Sequence, residues 1–167
     1  ILLMVTEDQE EKEEFIQIIN ANNELLLKLI NDILDLSKIE AGSVELKYEN
    51  FDLAVYFNEL AASMHRRVVN PQVRLVPVNP YEACTVRLDK NRLAQILTNF
   101  VTNAIKYTSK GMIEMRYEKI DENIRLYVRD TGIGIPEDKK DKVFHRFEKL
   151  DEFAQGTGLG LSIWRYI

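Results

Sequence analysis

Three short segments in the second half of the chain concentrate amide, cationic, carboxylate and glycine residues. They cover residues 99–108, 130–135 and 156–161, with the sequences NFVTNAIKYT, DTGIGI and GTGLGL. Side-chain amide oxygens are hard ligands that suit magnesium, a lysine ammonium is a point charge for phosphate, and backbone amides at a helix start bind anions. Each segment alone is weak evidence. Their order along one chain suggests a single nucleotide site.

The first segment falls on a predicted amphipathic helix over about residues 89–107, with Asp89 as its predicted N-cap. Apolar residues recur there at three- and four-residue steps, at Leu93, Ile96, Leu97, Phe100 and Ala104. A neighbouring polar stripe holds Arg92, Asn99, Asn103 and Lys106. Such spacing stacks side chains along one side of a helix. The stripe predicts ligands for magnesium and phosphate, although a solvated flank of an ordinary buried helix has the same pattern.

The second segment follows a predicted strand, in which apolar and polar residues alternate up to residue 129. Asp130 stands at the end of that strand, where its carboxylate can accept a hydrogen bond from an exocyclic amine such as that of adenine. Gly132 and Gly134 allow a tight turn and a close approach of the backbone to a ligand. A plain strand-to-loop turn also favours Asp and Gly, so this segment alone leaves that alternative open.

The third segment, Gly156 to Gly160, leads into a predicted helix start at residues 161–164. Free N–H groups at a helix N-terminus bind anions, and glycines let phosphates come close. The segment lacks the Gly-Lys-Ser/Thr ending of a Walker loop and the strand-turn-helix setting of a dinucleotide fingerprint. A lone Gly-x-Gly-x-Gly pattern therefore indicates a phosphate site only weakly.

Together these segments resemble the sequence boxes of bacterial sensor histidine kinases. The ATP-binding domain of that family belongs to the Bergerat-type ATPases, which include DNA gyrase, mismatch-repair proteins and the large heat-shock chaperone. Residues 99–108 are similar to the family's N box, 130–134 to its G1 box, 144–147 to its F box and 156–160 to its G2 box. Four boxes in the family's order make a highly specific signal.

The resemblance implies an ATP and magnesium site with a role for each matching residue. Asn103 would coordinate magnesium, and Asn99 would lie near the metal and the phosphates. Lys106 would contact phosphate, and Tyr107 would pack near the adenine. Asp130 would bind the adenine amino group. Asn99 and Lys106 are thereby the predicted catalytic residues, and Asn103 is the predicted metal ligand.

The glycine-rich boxes would complete this site. Gly132 and Gly134 would shape the adenine pocket, and residues from about 136 to 158 would form a lid over the nucleotide. The remaining implied nucleotide contacts, all toward the phosphates, are Arg146, Gly156, Gly158 and Gly160.

The N-terminal quarter of the chain predicts a long helix over about residues 10–41, which Gly42 ends as the C′ residue. Residues 31–42 resemble the end of the second dimerisation helix of these kinases, which implies a homodimer. The heptads alone also fit a generic coiled coil. The heptad positions, with two further apolar residues that widen the stripe toward a four-helix bundle, are Phe15, Ile18, Ile19, Asn22, Leu25, Leu26, Leu29, Ile33 and Leu36.

The chain departs from the family pattern at the phosphoaccepting histidine. His65 lies on a predicted helix and His145 lies in the F box, and neither is surrounded by the acceptor motif. Residues 1–5 resemble the tail of the first dimerisation helix, so we expect the acceptor to precede them. Residues 164–167 stop within a helix that the family follows with further strands, so we expect those strands either to be absent or to come from residues outside this sequence.

Composition is that of an ordinary soluble globular domain, with 167 residues, 46% hydrophobic and 29% charged. The net charge of −5 argues against nucleic acid as a partner. Cys84 is the single cysteine, so we expect no intrachain disulfide and a reducing, cytoplasmic compartment. The sequence contains no apolar run of about 18 residues, so it predicts no membrane span. An inner-membrane anchor would have to come from elsewhere in a parent protein.

The predicted architecture is α+β, a two-layer α/β sandwich of the Bergerat ATP-binding kind with helices on one face of a mixed sheet. A long dimerisation helix precedes it, and the two predicted domains cover residues 1–42 and 43–167. The other predicted elements are a strand at 44–48, a helix at 52–68 capped by Asp52, strands at 73–76 and 84–88, and a hairpin at 112–119 and 123–129.

The predicted function is ATP binding and phosphoryl transfer to histidine in two-component signalling, with a response regulator as partner. The rival enzyme class is an ATP hydrolase of the gyrase or chaperone kind. Those relatives place a glutamate base four residues before the magnesium asparagine. Here Asn99 holds that position, and an amide cannot take a proton from water as a carboxylate can. The other alternative is a non-catalytic dimerisation or scaffold module. Measuring the affinity for ATP would distinguish that module from a kinase.

Overall fold

The computed structural model describes residues 9–141, 143 and 145 of the chain. Residues 45–140 form one compact unit, and the first helix belongs to another. None of the described helices is both long and apolar enough to cross a membrane. In chain order the elements are α1 (Gln9–Glu40), β1 (Glu49–Asp52), α2 (Leu53–His65), β2 (Val73–Val78), β3 (Thr85–Leu88), α3 (Lys90–Tyr107), β4 (Gly111–Ile120), β5 (Asn123–Asp130) and a 3-10 helix (Glu137–Lys139).

Helix α1 ends in a Schellman motif at Gly42. The Gly42 backbone has φ +62°, and its N–H donates to the Ile39 carbonyl at 3.0 Å. The Ser43 N–H donates to the Lys38 carbonyl at 2.9 Å. These two bonds satisfy carbonyls that the helix itself leaves unpaired, and the left-handed conformation suits glycine. The predicted role of Gly42 is therefore confirmed.

Many apolar side chains of α1 face solvent in the single chain, and they include Ile18, Ile19, Leu26 and Ile33 of the predicted stripe. The side chains that are 45% to 60% exposed are Ile16, Ile18, Ile19, Leu26, Leu27, Ile30, Ile33 and Leu34. A helix with an apolar stripe of this width is stable when another helix covers it. The heptad spacing of the predicted stripe is typical of helices that associate with other helices.

The described strands of residues 45–140 form two sheets. β1 pairs antiparallel with β3. β2 pairs parallel with β4, and β4 pairs antiparallel with β5, with Ile113 opposite Asp130. The three-stranded sheet is therefore mixed, as predicted.

Helices α2 and α3 pack on one face of the mixed sheet. The alternation of β4 sets that face, because it buries Ile113, Met115 and Tyr117 completely. The ring of Phe57 on α2 lies 5.0 Å from the Tyr117 ring, and α3 contributes the fully buried Val101. Burial of this apolar surface stabilises the fold by about 25 cal/mol per Å². The arrangement confirms the predicted two-layer α/β sandwich.

One buried hydroxyl in this core is fully partnered. The Tyr117 Oη donates to the Asn79 Oδ1 at 2.7 Å, and the Asn79 Nδ2 donates to the Ala54 carbonyl at 3.0 Å. Burial raises the pKa of Tyr117 to about 12. The residue is thus a neutral structural link between the sheet and the start of α2.

Asp52 caps α2, as predicted. Its Oδ1 accepts from the Ala54 N–H at 2.9 Å and from the Cys84 N–H at 3.0 Å. The bond from Cys84 is the main cause that lowers the pKa of Asp52, and the bond from Ala54 adds to it against the opposing effect of burial. Cys84 is only 1% exposed. The cap therefore also fixes the segment that leads into β3.

Two predicted elements are displaced from the positions expected for them. The strand predicted at 44–48 lies at Glu49–Asp52, because pairing with β3 fixes it immediately before the α2 cap. The helix predicted at 52–68 ends at His65, and a turn there leads toward β2. Ends of this kind depend on strand partners and on caps, which local propensity does not encode.

The predicted hairpin is confirmed, with a two-residue connection between β4 and β5. Asp121 has φ +53°, a left-handed conformation that aspartate tolerates better than most residues. This turn aligns the two strands so that β5 ends at Asp130.

Candidate functional site

Asp89 fixes the start of α3, the helix that carries the predicted magnesium and phosphate ligands. Its Oδ1 accepts from the Arg92 N–H at 3.0 Å, and its Oδ2 accepts from the Lys47 N–H at 2.8 Å. Burial raises the pKa of this carboxyl, but the N–H donors of Arg92 and Lys47 outweigh it and leave the pKa below its ordinary value. One side chain therefore caps α3 and holds the segment before β1 against the helix start.

The three predicted ligands on α3 differ in burial along the helix. Asn99 is buried, Asn103 is half-buried and Lys106 is exposed, so the row runs from the core toward the surface. Positions i, i+4 and i+7 share one side of a helix, as the sequence predicted. Arg92 lies seven residues before Asn99, and its Nη1 donates to the Gln95 Oε1 at 2.8 Å.

Asn99 holds a buried donor that the fold does not use. The residue is 9% exposed, and its Nδ2 has no hydrogen-bond partner among the residues that the structure describes. Leaving such a donor unpaired costs about 1–3 kcal/mol, and native proteins retain few of them. Its backbone carbonyl, in contrast, accepts from the Thr102 hydroxyl at 3.1 Å. A donor retained in this state suits a ligand rather than the fold.

Thr108 presents a second buried and unpaired polar group. It is the C-cap residue of α3 and is 2% exposed, and its Oγ1 has no partner within the described part of the chain. Thr108 is the last residue of the first motif, but no pattern in the sequence indicates a role for it. Both unpaired groups of α3 thus fall inside the segment that the sequence singled out.

The chemistry around Asn103 fits a magnesium ion that takes most of its ligands from a nucleotide. No group of three or more His, Cys, Asp or Glu side chains in residues 9–141, 143 and 145 could hold a metal ion. Magnesium usually keeps several waters and uses one or two protein oxygens together with substrate phosphates. A half-buried amide on α3 meets that modest requirement, whereas a structural zinc site needs four protein ligands.

Lys106 and Tyr107 are neighbours at the C-terminal end of α3. The Lys106 Nζ lies 4.9 Å from the centroid of the Tyr107 ring, within the range of a cation–π contact. A phosphate oxygen is a stronger partner for an ammonium than an aromatic face is. The predicted phosphate ligand and the predicted adenine neighbour therefore lie side by side.

Asp130 ends β5 and begins the glycine turn. Its Oδ1 accepts from the Gly132 N–H at 2.9 Å, an Asx-type turn that orients the carboxylate. The residue is exposed, so its second oxygen remains accessible to a donor from outside the protein. This is the arrangement that recognition of an exocyclic amine requires.

The two glycines of this turn have different functions. A Cβ at Gly132 would lie 2.3 Å from the Tyr107 carbonyl oxygen, a backbone atom that also accepts from the Ile133 N–H at 3.2 Å. A Cβ at Gly134 would meet nothing within 4 Å, but the backbone there has φ +69°. Gly132 thus allows close approach to α3, and Gly134 allows a left-handed turn. The structure brings Tyr107, Asp130 and Gly132 together at the end of α3.

Sequence reasoning missed two residues beside this turn, Gly111 and Thr131. The Thr131 Oγ1 accepts from the Met112 N–H at 3.0 Å, and the Thr131 N–H donates to the Met112 carbonyl at 3.1 Å. A Cβ at Gly111 would lie 2.1 Å from the Thr131 Oγ1. The one feature of the sequence that could have indicated them was Gly111, an isolated glycine at the start of a strand. Such a glycine indicates a close approach without identifying the neighbour.

The remaining predicted positions are distributed as follows. His65 is exposed at the end of α2, and His145 is exposed as well. Of the predicted lid from residue 136, the structure describes the 3-10 helix Glu137–Lys139 and the few residues around it. Four predicted phosphate contacts lie outside the described residues: Arg146, Gly156, Gly158 and Gly160.

Two protein-family models match this chain. Residues 88–167 match the model described as histidine kinase-, DNA gyrase B- and HSP90-like ATPase. Residues 2–42 match the His Kinase A (phospho-acceptor) domain. The first match contains α3, the glycine turn and every predicted site residue, and the second contains α1.

Proteins similar to the chain are histidine kinases. Hybrid signal transduction histidine kinase L of Dictyostelium discoideum is 36% identical over 172 residues, which cover 97% of this chain. Full-length ShkA in complex with AMPPNP aligns with a TM-score of 0.79 and 30% identity, over 99% of this chain. The catalytic domain of histidine kinase ThkA aligns with a TM-score of 0.60 and 31% identity, over 71% of this chain and 78% of that one.

ThkA also has a solved structure in complex with the response regulator protein TrrA. That ThkA chain aligns with a TM-score of 0.64 and 26% identity, over 86% of this chain and 42% of its own length. The present chain spans 10% of the length of histidine kinase L and 35% of the ShkA chain.

Proposed function

The chain belongs to the histidine kinases, and on this premise we propose that it binds ATP with magnesium and transfers the γ-phosphate to a histidine. The observation that carries the proposal is the docking of the Asp130 turn against the end of α3. The Ile133 N–H donates to the Tyr107 carbonyl at 3.2 Å, and Gly132 leaves no room for a Cβ beside that carbonyl. This contact joins the proposed adenine end to the helix that bears the proposed phosphate ligands.

At the adenine end, Asp130 is the proposed acceptor for the amino group of the base. The Gly132 N–H engages its Oδ1 at 2.9 Å, which fixes the carboxylate without neutralising it. Tyr107, half-buried beside the turn, is the proposed apolar neighbour of the base. A carboxylate held in place discriminates between an amine and a carbonyl at the same ring position, because the carbonyl has no proton to donate.

At the phosphate end, α3 supplies three proposed groups. The unpaired Nδ2 of Asn99 is a donor for a phosphate oxygen, and the exposed ammonium of Lys106 is a positive charge for the same groups. Asn103 is the proposed protein ligand of magnesium. The metal, when bound, would neutralise phosphate charge and help to hold the phosphates in position.

In the proposed reaction, a ring nitrogen of the acceptor histidine attacks the γ-phosphorus. The bond from that phosphorus to the bridging oxygen breaks, and ADP leaves. The residues of this chain contribute positioning and charge stabilisation rather than covalent chemistry. Neither His65 nor His145 is the proposed acceptor, because neither carries the acceptor motif.

Asn99 also supports the kinase over the hydrolase. A hydrolase of this family needs a base that deprotonates water, and the amide of Asn99 has no such capacity at neutral pH. The same amide can donate a hydrogen bond to phosphate. The residue therefore suits transfer to a nucleophile that brings its own lone pair, as imidazole does.

Helix α1 and the similarity to ThkA support the proposed partners. The exposed apolar stripe of α1 suits dimerisation with a second copy through a helical bundle. The ThkA complex with TrrA supports a response regulator as the protein that receives the phosphoryl group.

The experiment that tests the proposal measures base selectivity. Calorimetry with magnesium present should show ATP binding more than about 100-fold tighter than GTP, because guanine lacks the amine that Asp130 accepts from. Asp130→Asn should lose most of that selectivity. Asp121→Asn, at the opposite end of the same hairpin, is the matched control and should retain it. Equal affinity of the unmutated protein for ATP and GTP would contradict the proposed role of Asp130.

A further inference from the structure

We propose that Gly111, Met112 and Thr131 form a latch that positions Asp130 for the nucleotide. Thr131 and Gly111 are positioning residues in this latch, and they act through Asp130 rather than by touching the base. The inference rests on the proposed function and adds to the same site Gly111 and Met112, which lie outside the four sequence boxes, and Thr131, which lies in the G1 box without an assigned role. It is argued from hydrogen bonds and one close backbone approach.

Thr131 is bonded to Met112 by both its backbone and its side chain. Its N–H donates to the Met112 carbonyl at 3.1 Å, and its Oγ1 accepts from the Met112 N–H at 3.0 Å. The hydroxyl also lies 3.4 Å from the Met112 carbonyl, as a weak donor. One residue therefore engages both the donor and the acceptor of a residue on the neighbouring strand.

This pairing extends the β4–β5 ladder by one step beyond the end of β5. Ile113 is opposite Asp130 in the register, so Met112 is the next partner along β4. The chain leaves the sheet at Gly132 to reach α3, and its backbone no longer supplies an acceptor for the Met112 N–H. The Thr131 hydroxyl takes the place of that missing carbonyl. A side chain without a hydroxyl would leave the last ladder bond unmade.

Gly111 makes room for the hydroxyl and connects it to a third strand. A Cβ at position 111 would lie 2.1 Å from the Thr131 Oγ1, and the backbone there has φ +122°. The Gly111 N–H donates to the Gln72 carbonyl at 2.9 Å, next to the start of β2. The latch thus ties the end of β5 to the starts of both β4 and β2.

Asp130 is consequently held by its pairing with Ile113 in the ladder and by the contacts of the three residues that follow it. On its C-terminal side, Gly132 and Ile133 dock on the end of α3, and the Gly132 N–H bonds the Asp130 carboxylate. Between these contacts and the strand lies Thr131, fixed to Met112. A carboxylate at the end of a strand would otherwise follow the fraying of that end. The latch therefore sets the position from which Asp130 reaches the base.

The test compares Thr131→Val with Thr131→Ser in the full chain. Valine has nearly the shape of threonine but cannot bond Met112, whereas serine keeps the hydroxyl. We expect Thr131→Val to weaken ATP binding about fivefold, since an exposed hydrogen bond contributes about 1 kcal/mol. GTP binding should change less, so the ratio of the two affinities should fall. Thr131→Ser should bind like the unmutated chain.

Amide hydrogen exchange without nucleotide supplies a second readout. Thr131→Val should speed exchange at Met112 and at Gly132, whose N–H reports on the Asp130 carboxylate, and Thr131→Ser should not. Gly111→Ala should show the same pattern with a larger change. Unchanged exchange at Gly132 in Thr131→Val would overturn the latch. An equal loss of ATP and GTP affinity would also overturn it, because that result indicates general destabilisation.

The affinity and hydrogen-exchange measurements distinguish a failure of the latch from a failure of the proposed function on which it rests. If the unmutated chain binds neither ATP nor GTP, the proposed function is wrong, and the exchange rates at Gly132 still decide whether Thr131 positions Asp130. If ATP binds selectively and Thr131→Val leaves both affinity and selectivity unchanged, the latch alone is wrong.

Discussion

The two ends of the proposed nucleotide site are constructed in opposite ways. The phosphate end is a row of side chains on one helix, and its buried member, Asn99, has an Nδ2 donor that no described residue accepts from. The adenine end depends on backbone contacts, in which Gly132 and Ile133 approach the Tyr107 carbonyl. We therefore expect substitutions of the side chains at the first end to leave the fold intact. At the second end the same atoms serve folding and binding.

This difference predicts how each end responds to substitution. Changes at the phosphate end should impair function while leaving stability the same or improving it. Changes at the adenine end should reduce both together. If both ends were made of side chains alone, or of backbone contacts alone, substitutions would not separate function from stability in this way.

Gly132→Ala should have the largest effect, because its Cβ would lie 2.3 Å from the Tyr107 carbonyl oxygen. We expect ATP affinity to fall more than about 100-fold and the free energy of unfolding to fall by about 2 kcal/mol or more. Calorimetry and thermal unfolding measure the two losses. Gly134→Ala is the control, with open space but φ +69°, and should cost only about 1–2 kcal/mol of backbone strain. If Gly132→Ala bound ATP as tightly as the unmutated protein, backbone packing at the adenine end would not be needed for binding, and the two ends would not differ as proposed.

Asn103→Ala should follow in size and should affect binding alone. Loss of the proposed metal ligand should weaken magnesium-dependent ATP binding about tenfold or more, with binding in the presence of a chelator unchanged. Thermal unfolding should stay close to that of the unmutated protein. Asn91→Ala, in the first turn of the same helix, is the matched control. Unchanged affinity for ATP with magnesium would exclude Asn103 as the ligand.

Asn99→Leu should change stability and activity in opposite directions. Replacing a buried amide whose Nδ2 has no partner among the described residues by an apolar group of similar size removes a desolvation cost, so the free energy of unfolding should rise by about 1 kcal/mol. Phosphoryl transfer should fall, because the proposed phosphate donor is lost. Denaturant unfolding and a radiolabel transfer assay measure the two changes. A lower stability in Asn99→Leu would show that the fold uses this amide after all.

The smallest predicted effect concerns Asp89, which anchors the phosphate end. Its pKa is lowered from 3.8 in the folded protein, so its charge contributes stability above that value and loses it as pH falls through the folded pKa. Asp89→Asn keeps a capping side chain without the charge. Its melting temperature should lie slightly below that of the unmutated protein from pH 7 to about 5, and the gap should close below about pH 4. A gap that is constant down to pH 3 would exclude the charge as its source.

Sequence reasoning succeeded where one residue determines a local structure. Asp52 and Asp89 were expected as caps, and Gly42 as the end of α1, and each forms the expected bonds. The common row of Asn99, Asn103 and Lys106 follows from helical spacing alone. These features need no knowledge of distant partners.

The sequence failed where the structure depends on contacts between distant segments. The start of β1 at Glu49 is set by pairing with β3, and the local sequence does not contain that register. The role of Thr131 depends on Met112, which lies 19 positions earlier in the chain. The sequence also does not show that the Asn99 Nδ2 lacks a partner among the described residues, because that depends on which distant residues surround it in the fold.

The burial of Cys84 allows the opening of the compact unit to be timed. It is the single cysteine of the chain and is 1% exposed, and its N–H is held by Asp52 at 3.0 Å. A thiol reagent can reach its Sγ only when the segment between α2 and β3 detaches, so the labelling rate reports how often that detachment occurs. Every variant above can be assayed in this way without adding or removing another thiol.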